Sequence, residues 1–435
     1  MIVIFKIIEI FNLIIKKILI YDKCKSYNLI KNVCKKWKLN LNELDILDFV
    51  NDQLKIIKIN CNNFQECNIS SAISKNGKVW IWGSLPFNLN NIMGNYIDNK
   101  IAIPYSIDLT KFDINEDIND VILNKNCIIL KNNKKIFSIP KLSQFNFDNE
   151  NIVDVKSKYK HILYLTDKGN IYTYGSNKYG QLGKNTNYHY FPKKFTSINL
   201  IKVDSIEVTN NSSFILTNNG DVYSFGSNLK GELGVGFEIV EHFTVNPIKI
   251  NIKNIKKLYT GKFNVFAIDN ENKLYGWGKN RFNLFGLPIN DPLYKTPIIY
   301  FPYNLNTKFN NILKIVSSDR HSIFLVKNSN NKNHIYTTGL GYYGELGHND
   351  PKDSNLKIIY DLKKKNIVDI CAGFNCSMAL TECGAIYVFG NNDSFQLGNY
   401  RGIDKNIDET FSNCSNTYLP SIIPYLKNLN FKINS

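Results

Sequence analysis

Six stretches of this chain carry the same five-residue strand closed by a glycine, and a unit that returns at a near-constant interval restricts the fold more than any other feature. They are Val79-Trp80-Ile81-Trp82-Gly83, Ile171-Tyr172-Thr173-Tyr174-Gly175, Val222-Tyr223-Ser224-Phe225-Gly226, Leu274-Tyr275-Gly276-Trp277-Gly278, Ile335-Tyr336-Thr337-Thr338-Gly339 and Ile386-Tyr387-Val388-Phe389-Gly390. From Gly175 onward the closing glycines lie 51, 52, 61 and 51 residues apart. A period near fifty signals a propeller or an array, in which each unit buries its apolar face only against its neighbours. A seventh, degraded copy reads Lys135-Ile136-Phe137-Ser138-Ile139, with Pro140 in the glycine's place and 35 residues before Gly175, so this unit is expected to be truncated. The long step of 61 is ascribed to residues 328–333, which lengthen one hairpin, and to the stretch after Gly286. Insertions of this kind are tolerated in surface turns.

Within the copies the aromatic residues stand two apart, as in Trp80 and Trp82 or Tyr223 and Phe225. The period of a strand places each pair on one face, where it can fill the space between adjacent sheets. An apolar run precedes each such strand, joined to it by turns such as Lys75-Asn76-Gly77-Lys78, Asp167-Lys168-Gly169-Asn170 and Asn218-Asn219-Gly220-Asp221. These read as hairpins whose glycine supplies a positive φ. After the closing glycine a second signature follows, Gly175-Ser176-Asn177-Lys178-Tyr179-Gly180-Gln181-Leu182-Gly183, and it recurs at 226–234, 278–286, 339–347 and 390–398. Asn283, Phe285 and Phe395 are departures from it. No Gly-Lys-Ser/Thr follows these loops, which excludes a phosphate-binding P-loop. The glycines Gly83, Gly175, Gly180, Gly183, Gly226, Gly231, Gly234, Gly278, Gly286, Gly339, Gly344, Gly347, Gly390 and Gly398 are assigned to sharp backbone turns.

Hydrophobic residues make up 43% and aromatics 13% of the 435 residues, enough for a large core and against wholesale disorder. The net charge of +16 is compatible with nucleic acid or another polyanion, yet Asn, Ile and Lys crowd every segment as codon bias would have it. The arginines are only Arg281, Arg320 and Arg401, whereas base-reading proteins favour the guanidinium fork. Nine cysteines without a CxxC pair suit reduced, structural thiols in an intracellular compartment, cytoplasm or nucleus. The histidines are His161, His189, His242, His321, His334 and His348, scattered over different repeats without ligand spacing or a partnered nucleophile, so neither a catalytic residue, a metal site nor a cofactor is expected.

The glycine-closed aromatic strand followed by Gly-x-x-x-x-Gly-x-Leu-Gly resembles the regulator-of-chromosome-condensation repeat, from about Gln53 to the C-terminus. That resemblance implies an all-β fold: a seven-bladed β-propeller of four-stranded blades over residues 51–435, working as a monomer and as a non-catalytic protein-binding scaffold or adaptor. It also implies an alternative, guanine-nucleotide exchange on a Ran-like small GTPase with chromatin association. In that family the loop before each hairpin often carries a His-Ser pair, whose histidine is kept here only at His161 and in Ser318-Asp319-Arg320-His321-Ser322. His161, Asp319, Arg320 and His321 are therefore the candidate partner-binding residues. The long loop after Gly83-Ser84-Leu85-Pro86-Phe87 lacks the charges that an exchange wedge would need. Ring closure is expected to bring the tail from Leu419-Pro420 to Ile433 beside the first copy's strands near residues 55–61.

The first 50 residues are expected to form a separate helical segment. Lys6, Glu9, Asn12 and Lys16 fall on one helical face and Ile4, Ile7, Phe11, Ile14 and Ile18 on the other. Charges interrupt it too often for a transmembrane span or a signal peptide. A mitochondrial presequence fits less well, because Arg is absent and Glu9 is present. Ile18, Leu19 and Tyr21, then Val33-Cys34-Lys35-Lys36-Trp37, are similar to the core of an F-box, though the family's opening Leu-Pro is missing. That likeness implies a third reading, docking on a Skp1-like adaptor while the propeller recruits substrates to a ubiquitin ligase.

Overall fold

The computed structural model describes residues 55–423 apart from 63–67, 86–99, 113, 126, 133–134, 140–146, 187, 197–201, 237–241, 292, 294–297, 306–308, 310, 349–353 and 399–415. Alternating, glycine-closed hairpins produce seven consecutive antiparallel sheets, six of four strands and one of three. The first blade is β1 (Ile56–Cys61), β2 (Ile69–Ser74), β3 (Val79–Ser84) and β4 (Lys100–Ser106); the second is β5 (Asp120–Leu123), β6 (Ile128–Lys131) and β7 (Ile136–Ile139). The third comprises β8 (Ile152–Lys158), β9 (His161–Thr166), β10 (Ile171–Ser176) and β11 (Tyr188–Lys194), and the fourth β12 (Val203–Val208), β13 (Ser212–Thr217), β14 (Val222–Ser227) and β15 (Phe243–Lys249). The fifth is β16 (Ile255–Thr260), β17 (Asn264–Asp269), β18 (Leu274–Lys279) and β19 (Ile298–Asn304). The sixth is β20 (Ile312–Ser317), β21 (His321–Lys327), β22 (Asn333–Gly339) and β23 (Ser354–Ile358). The seventh is β24 (Ile367–Ala372), β25 (Cys376–Thr381), β26 (Ile386–Gly390) and β27 (Thr417–Ile422).

The expected seven-bladed propeller is therefore present, with three strands among the described residues in the copy around Pro140. First strands of neighbouring blades touch all the way round, β1 meeting both β5 and β24. Together they line a central cavity of about 630 Å³. Second strands sit between flanking blades, and in β2, β9, β13, β17 and β25 every residue is buried. Strands covered on both faces read as continuous apolar or small runs rather than alternating ones.

The aromatic rows fill the seams. Trp82, Phe225, Trp277 and Phe389 are fully buried, and each lies against the signature loop of the preceding blade or its neighbours. The Trp277 indole N–H donates to the Glu232 carbonyl at 2.9 Å, and the Trp82 indole N–H donates to the Gln396 carbonyl at 2.8 Å. Closure between the last and first blades thus uses the same contact as the seam between the fourth and fifth. The tail departs from expectation: Thr417–Ile422 is the outer strand of the last blade, paired with β26, and does not lie beside residues 55–61. β26 has β25 on one edge and takes this segment on the other, which completes the blade's four strands. The tail residues after 423 fall outside the described residues.

Closing glycines take φ between +94° and +113°, as Gly278 and Gly339 show at the two ends of that range. At Gly339 a Cβ would come within 2.4 Å of the Arg320 carbonyl oxygen, so the second strand could not approach its partner. Asn283 (φ 55°) and Phe395 (φ 57°), which depart from glycine in the signature, keep the same left-handed backbone.

Candidate partner-binding face

Register decides which loops share a face. Each closing glycine pairs with the first residue of its second strand: Gly175 with His161, Gly278 with Asn264, Gly339 with His321 and Gly390 with Cys376. The turn entering the second strand and the signature loop leaving the third therefore emerge at one end of each blade that carries the signature. Backbone hydrogen bonds then link these turns around the ring, Lys125 N–H to the Tyr159 carbonyl, Asn210 to Lys262 and Phe374 to Asn62.

On this rim cations lie over aromatic rings. The Lys262 ammonium is 5.5 Å from the Phe263 ring centre and 5.8 Å from that of Phe374. The Arg320 guanidinium lies 5.5 Å from Phe374 and 6.0 Å from Tyr343, and Arg281 is 4.9 Å from Phe282. Lys125 and Lys160 flank Tyr159 at 4.9 and 5.2 Å, and Lys178 is 5.6 Å from Tyr179. Such contacts hold flexible cations at defined positions and are worth about 0.5–1 kcal/mol each when exposed. Among the described residues the rim carries Lys125, Lys160, Lys178, Lys230, Lys262, Lys279, Arg281 and Arg320 against Asp319 and Asp393, with Glu232 and Glu345 buried within the same loops. Both described arginines are here, in a chain where lysine outnumbers arginine by 50 to 3.

Asp319 sits inside this positive field. It accepts from Lys262 at 3.2 Å and from Lys279. Burial pushes its carboxyl up, but the Lys279 hydrogen bond and the two ammonium charges outweigh it and hold the group below its ordinary value. Asp319 therefore orders two lysines rather than presenting a free acid. Arg320 stays half-buried at the rim, where a partner can reach it.

His161 and His321 are a correction, since both are fully buried and cannot meet a partner. His321 Nε2 lies 2.9 Å from the Ser377 hydroxyl in the next blade, which itself donates to the Glu345 carbonyl at 2.7 Å. Ser377 must then accept from an Nε2–H, leaving Nδ1 to accept from Ser318 at 2.9 Å. His161 repeats the arrangement three seams earlier, between the third and fourth blades, with Nε2 at 3.3 Å from Ser213 and Ser213 donating to the Gln181 carbonyl. Burial pushes the imidazoles of His321 and His161 down to about 3 and about 4, so both are neutral rivets between blades. His321→Ala is expected to cost about 2 kcal/mol of stability in urea unfolding, because two buried hydroxyls lose a partner. Arg320→Ala should stay within about 0.5 kcal/mol of the parent in the same measurement.

Ile18, Leu19, Tyr21, Val33 and Trp37, the F-box-like residues, lie outside the described residues, as does the loop after Leu85. Among the described residues no three His, Cys, Asp or Glu side chains converge as metal ligands would, and no helix is long and apolar enough to cross a membrane. The rim aromatics Phe263, Phe374 and Tyr343 were not apparent from sequence. Their signal is the recurring cation beside an aromatic, in Tyr159-Lys160, Lys178-Tyr179, Lys262-Phe263 and Arg281-Phe282.

Comparison with known proteins agrees with this architecture. The chain is 26% identical over 253 residues to the RCC2 homolog of Danio rerio, covering 53% of this chain and 50% of that protein. It is 27% identical over 268 residues to the ultraviolet-B receptor UVR8 of Arabidopsis thaliana, covering 60% and 57%. The chain thus spans about half the length of these curated relatives. Among solved structures, human WBSCR16 superposes with a TM-score of 0.60 at 17% identity, over 80% of this chain and 93% of that one. Prp20p of Saccharomyces cerevisiae gives 0.56 at 17% identity, over 85% and 76%. A family model described as RCC1-like domain matches residues 131–416, two thirds of the sequence, four of the seven blades in full and three strands of the last, so this chain belongs to the RCC1-like domain family.

Proposed function

We propose that this chain is a protein-interaction propeller, a scaffold or adaptor without bond-making chemistry, that docks an acidic protein surface on the rim around Arg320. The observation that supports this reading is the excess of aromatic-braced cations on one face, ordered by Asp319 and linked turn to turn. Complementary potentials of this kind steer encounter and fix register. Affinity purification with quantitative mass spectrometry tests it on the full chain. Partners specific to the rim should fall at least about tenfold in recovery with Arg281→Glu/Arg320→Glu, whose two reversals oppose an acidic surface. Their binding to the parent should weaken as added salt shortens the screening length from about 10 to about 3 Å. An unchanged partner set with the double variant would remove the rim as the interface.

A second reading is nucleotide exchange on a small GTPase. It draws support from Prp20p, whose structure was reported together with its binding to Gsp1p and histones. Release of a fluorescent guanine nucleotide from a Ran-like GTPase decides it, and no acceleration at micromolar propeller excludes it for that GTPase.

A further inference from the structure

The seam between the first and last blades holds a cluster of thiols that neither the rim nor the fold explains. Cys61 ends β1 and Cys371 and Cys376 belong to β24 and β25, so residues 310 apart in sequence meet across the ring. The Cys61 thiol donates to the Cys371 sulfur at 3.0 Å. Gly373 backs the group so closely that a Cβ there would come within 2.6 Å of the Cys376 sulfur. Both Cys61 and Cys371 line the central cavity, which gives a small solute a path to them. The neighbouring Phe374, one of the rim aromatics, is tied to the first blade by its N–H to the Asn62 carbonyl at 3.2 Å.

We propose that Cys61 and Cys371 are a modification site, an oxidation-driven staple that joins the first blade to the last. Among the described residues the seam is closed by side-chain contacts and one row of loop hydrogen bonds, with no strand exchanged between the two blades. It is the one junction of the ring that no short connection of the chain bridges. A covalent link here therefore removes more freedom than it would at any other seam.

The chemistry balances with a hydroperoxide as oxidant. Because Cys61 donates its S–H, the Cys371 sulfur is the one stabilised as a thiolate. It attacks the peroxide: an S–O bond forms, the O–O bond breaks, and the departing hydroxide takes up the Cys371 proton as water. The Cys61 sulfur then attacks the sulfenic sulfur; the S–S bond forms, the S–O bond breaks, and hydroxide leaves with the Cys61 proton as a second water. Two thiols lose two electrons and the peroxide gains them. Burial pushes the Cys61 thiol well up and raises Cys371 too, so sustained oxidant is required. Exposed Cys383 has its thiol lowered, by the Thr381 hydrogen bond first, and serves as the internal control for a surface thiol.

The test uses the full chain treated with hydrogen peroxide and then alkylated. The expected result is a Cys61–Cys371 linked peptide two hydrogens lighter than its parts, faster migration on a non-reducing gel, and a melting temperature raised by about 5 °C that dithiothreitol reverses. Cys376→Ser should keep the link, and Cys61→Ser or Cys371→Ser should lose it. If a serine variant fails to fold, the peptide map of the parent chain still decides. Oxidation confined to Cys383, a link to Cys376 in place of Cys61, or a Cys61–Cys371 link without a rise in melting temperature would each overturn the staple.

Discussion

Trp82→Ala is expected to destabilise the propeller by about 3–5 kcal/mol and to open it first at one place, the seam between the first and last blades. Trp82 is fully buried, and its indole N–H reaches the Gln396 carbonyl at 2.8 Å, the same oxygen that the Ser70 hydroxyl holds at 2.9 Å. Removing the ring leaves a cavity against Gly398 and takes away one of the two donors to that carbonyl. Trp277→Ala creates the same defect between the fourth and fifth blades, where the indole meets the Glu232 carbonyl at 2.9 Å. There the chain passes directly from β15 to β16 and limits how far the blades can part. At the Trp82 seam only the rest of the ring does so, and the entropy of separating the blades is correspondingly larger. Hydrogen exchange separates the cases: amides of β1 and β24 should lose protection selectively in Trp82→Ala, whereas Trp277→Ala should loosen β12 to β19. Equal loss across all seams would show that the ring melts as one unit without a weak junction.

What the sequence revealed and what it hid follow from the range over which each feature acts. The blades were legible because every one depends on local constraints: a glycine at positive φ, aromatics at the strand period, and a hairpin turn such as Gly77 (φ 75°) or Gly220 (φ 78°). The truncated blade was legible for the same reason, since Pro140 cannot adopt the backbone of the closing glycine. His161 and His321 were misplaced because a histidine in a turn looks exposed, and the hydroxyls that satisfy it, Ser213 and Ser377, come from the following repeat. Their partners lie 52 and 56 residues away, about one repeat, which is a readable distance once the repeat is known to be a blade. Ring closure and the thiol cluster were not legible, because Cys61 and Cys371 become neighbours only when seven small rotations add to a full circle. The rim falls between these cases: its dipeptides are local, but Arg320 over Phe374 joins two blades.

Replacing Glu232 and Glu345 together with glutamine should make the chain more stable at pH 8 and give its acid sensitivity a different shape. Both stand at one position of the signature loop, where the third and seventh blades already carry Gln181 and Gln396. In all four the side-chain oxygen accepts the backbone N–H two residues earlier, from Tyr179 at 2.9 Å, Lys230 at 2.6 Å, Tyr343 at 2.7 Å and Ser394 at 2.9 Å. One oxygen suffices for that bond, and the second oxygen of each glutamate is buried, with the Ser227 hydroxyl beside that of Glu232. Burial accordingly pushes both carboxyls up to about 7. A folded value above the unfolded one means that the native state holds the proton more tightly. The penalty of each glutamate is therefore absent below about 4.5, grows as pH rises toward about 7, and stands in full above it at about 3 kcal/mol per site. His161 and His321 act in the opposite sense, since their folded values of about 4 and about 3 lie below the ordinary 6.5; their stability is complete above 6.5 and is lost as pH falls. Between pH 7 and 4.5 the two pairs oppose each other, and His189 and His334, whose imidazoles burial also lowers, add to the histidine limb, so the parent chain should lose stability only shallowly as pH falls. The double glutamine variant retains only the histidine limb and should fall steadily below 6.5 from a higher plateau. Glu232→Gln should contribute the larger gain. Its new amide can donate to the Ser227 hydroxyl, as Gln396 donates to Asn391 at 2.6 Å, whereas the matching residue beside Glu345 is Leu340. Urea midpoints of the parent and variants across this pH range provide the measurement, and coincident midpoints at pH 8 would show that the buried carboxylates carry no penalty.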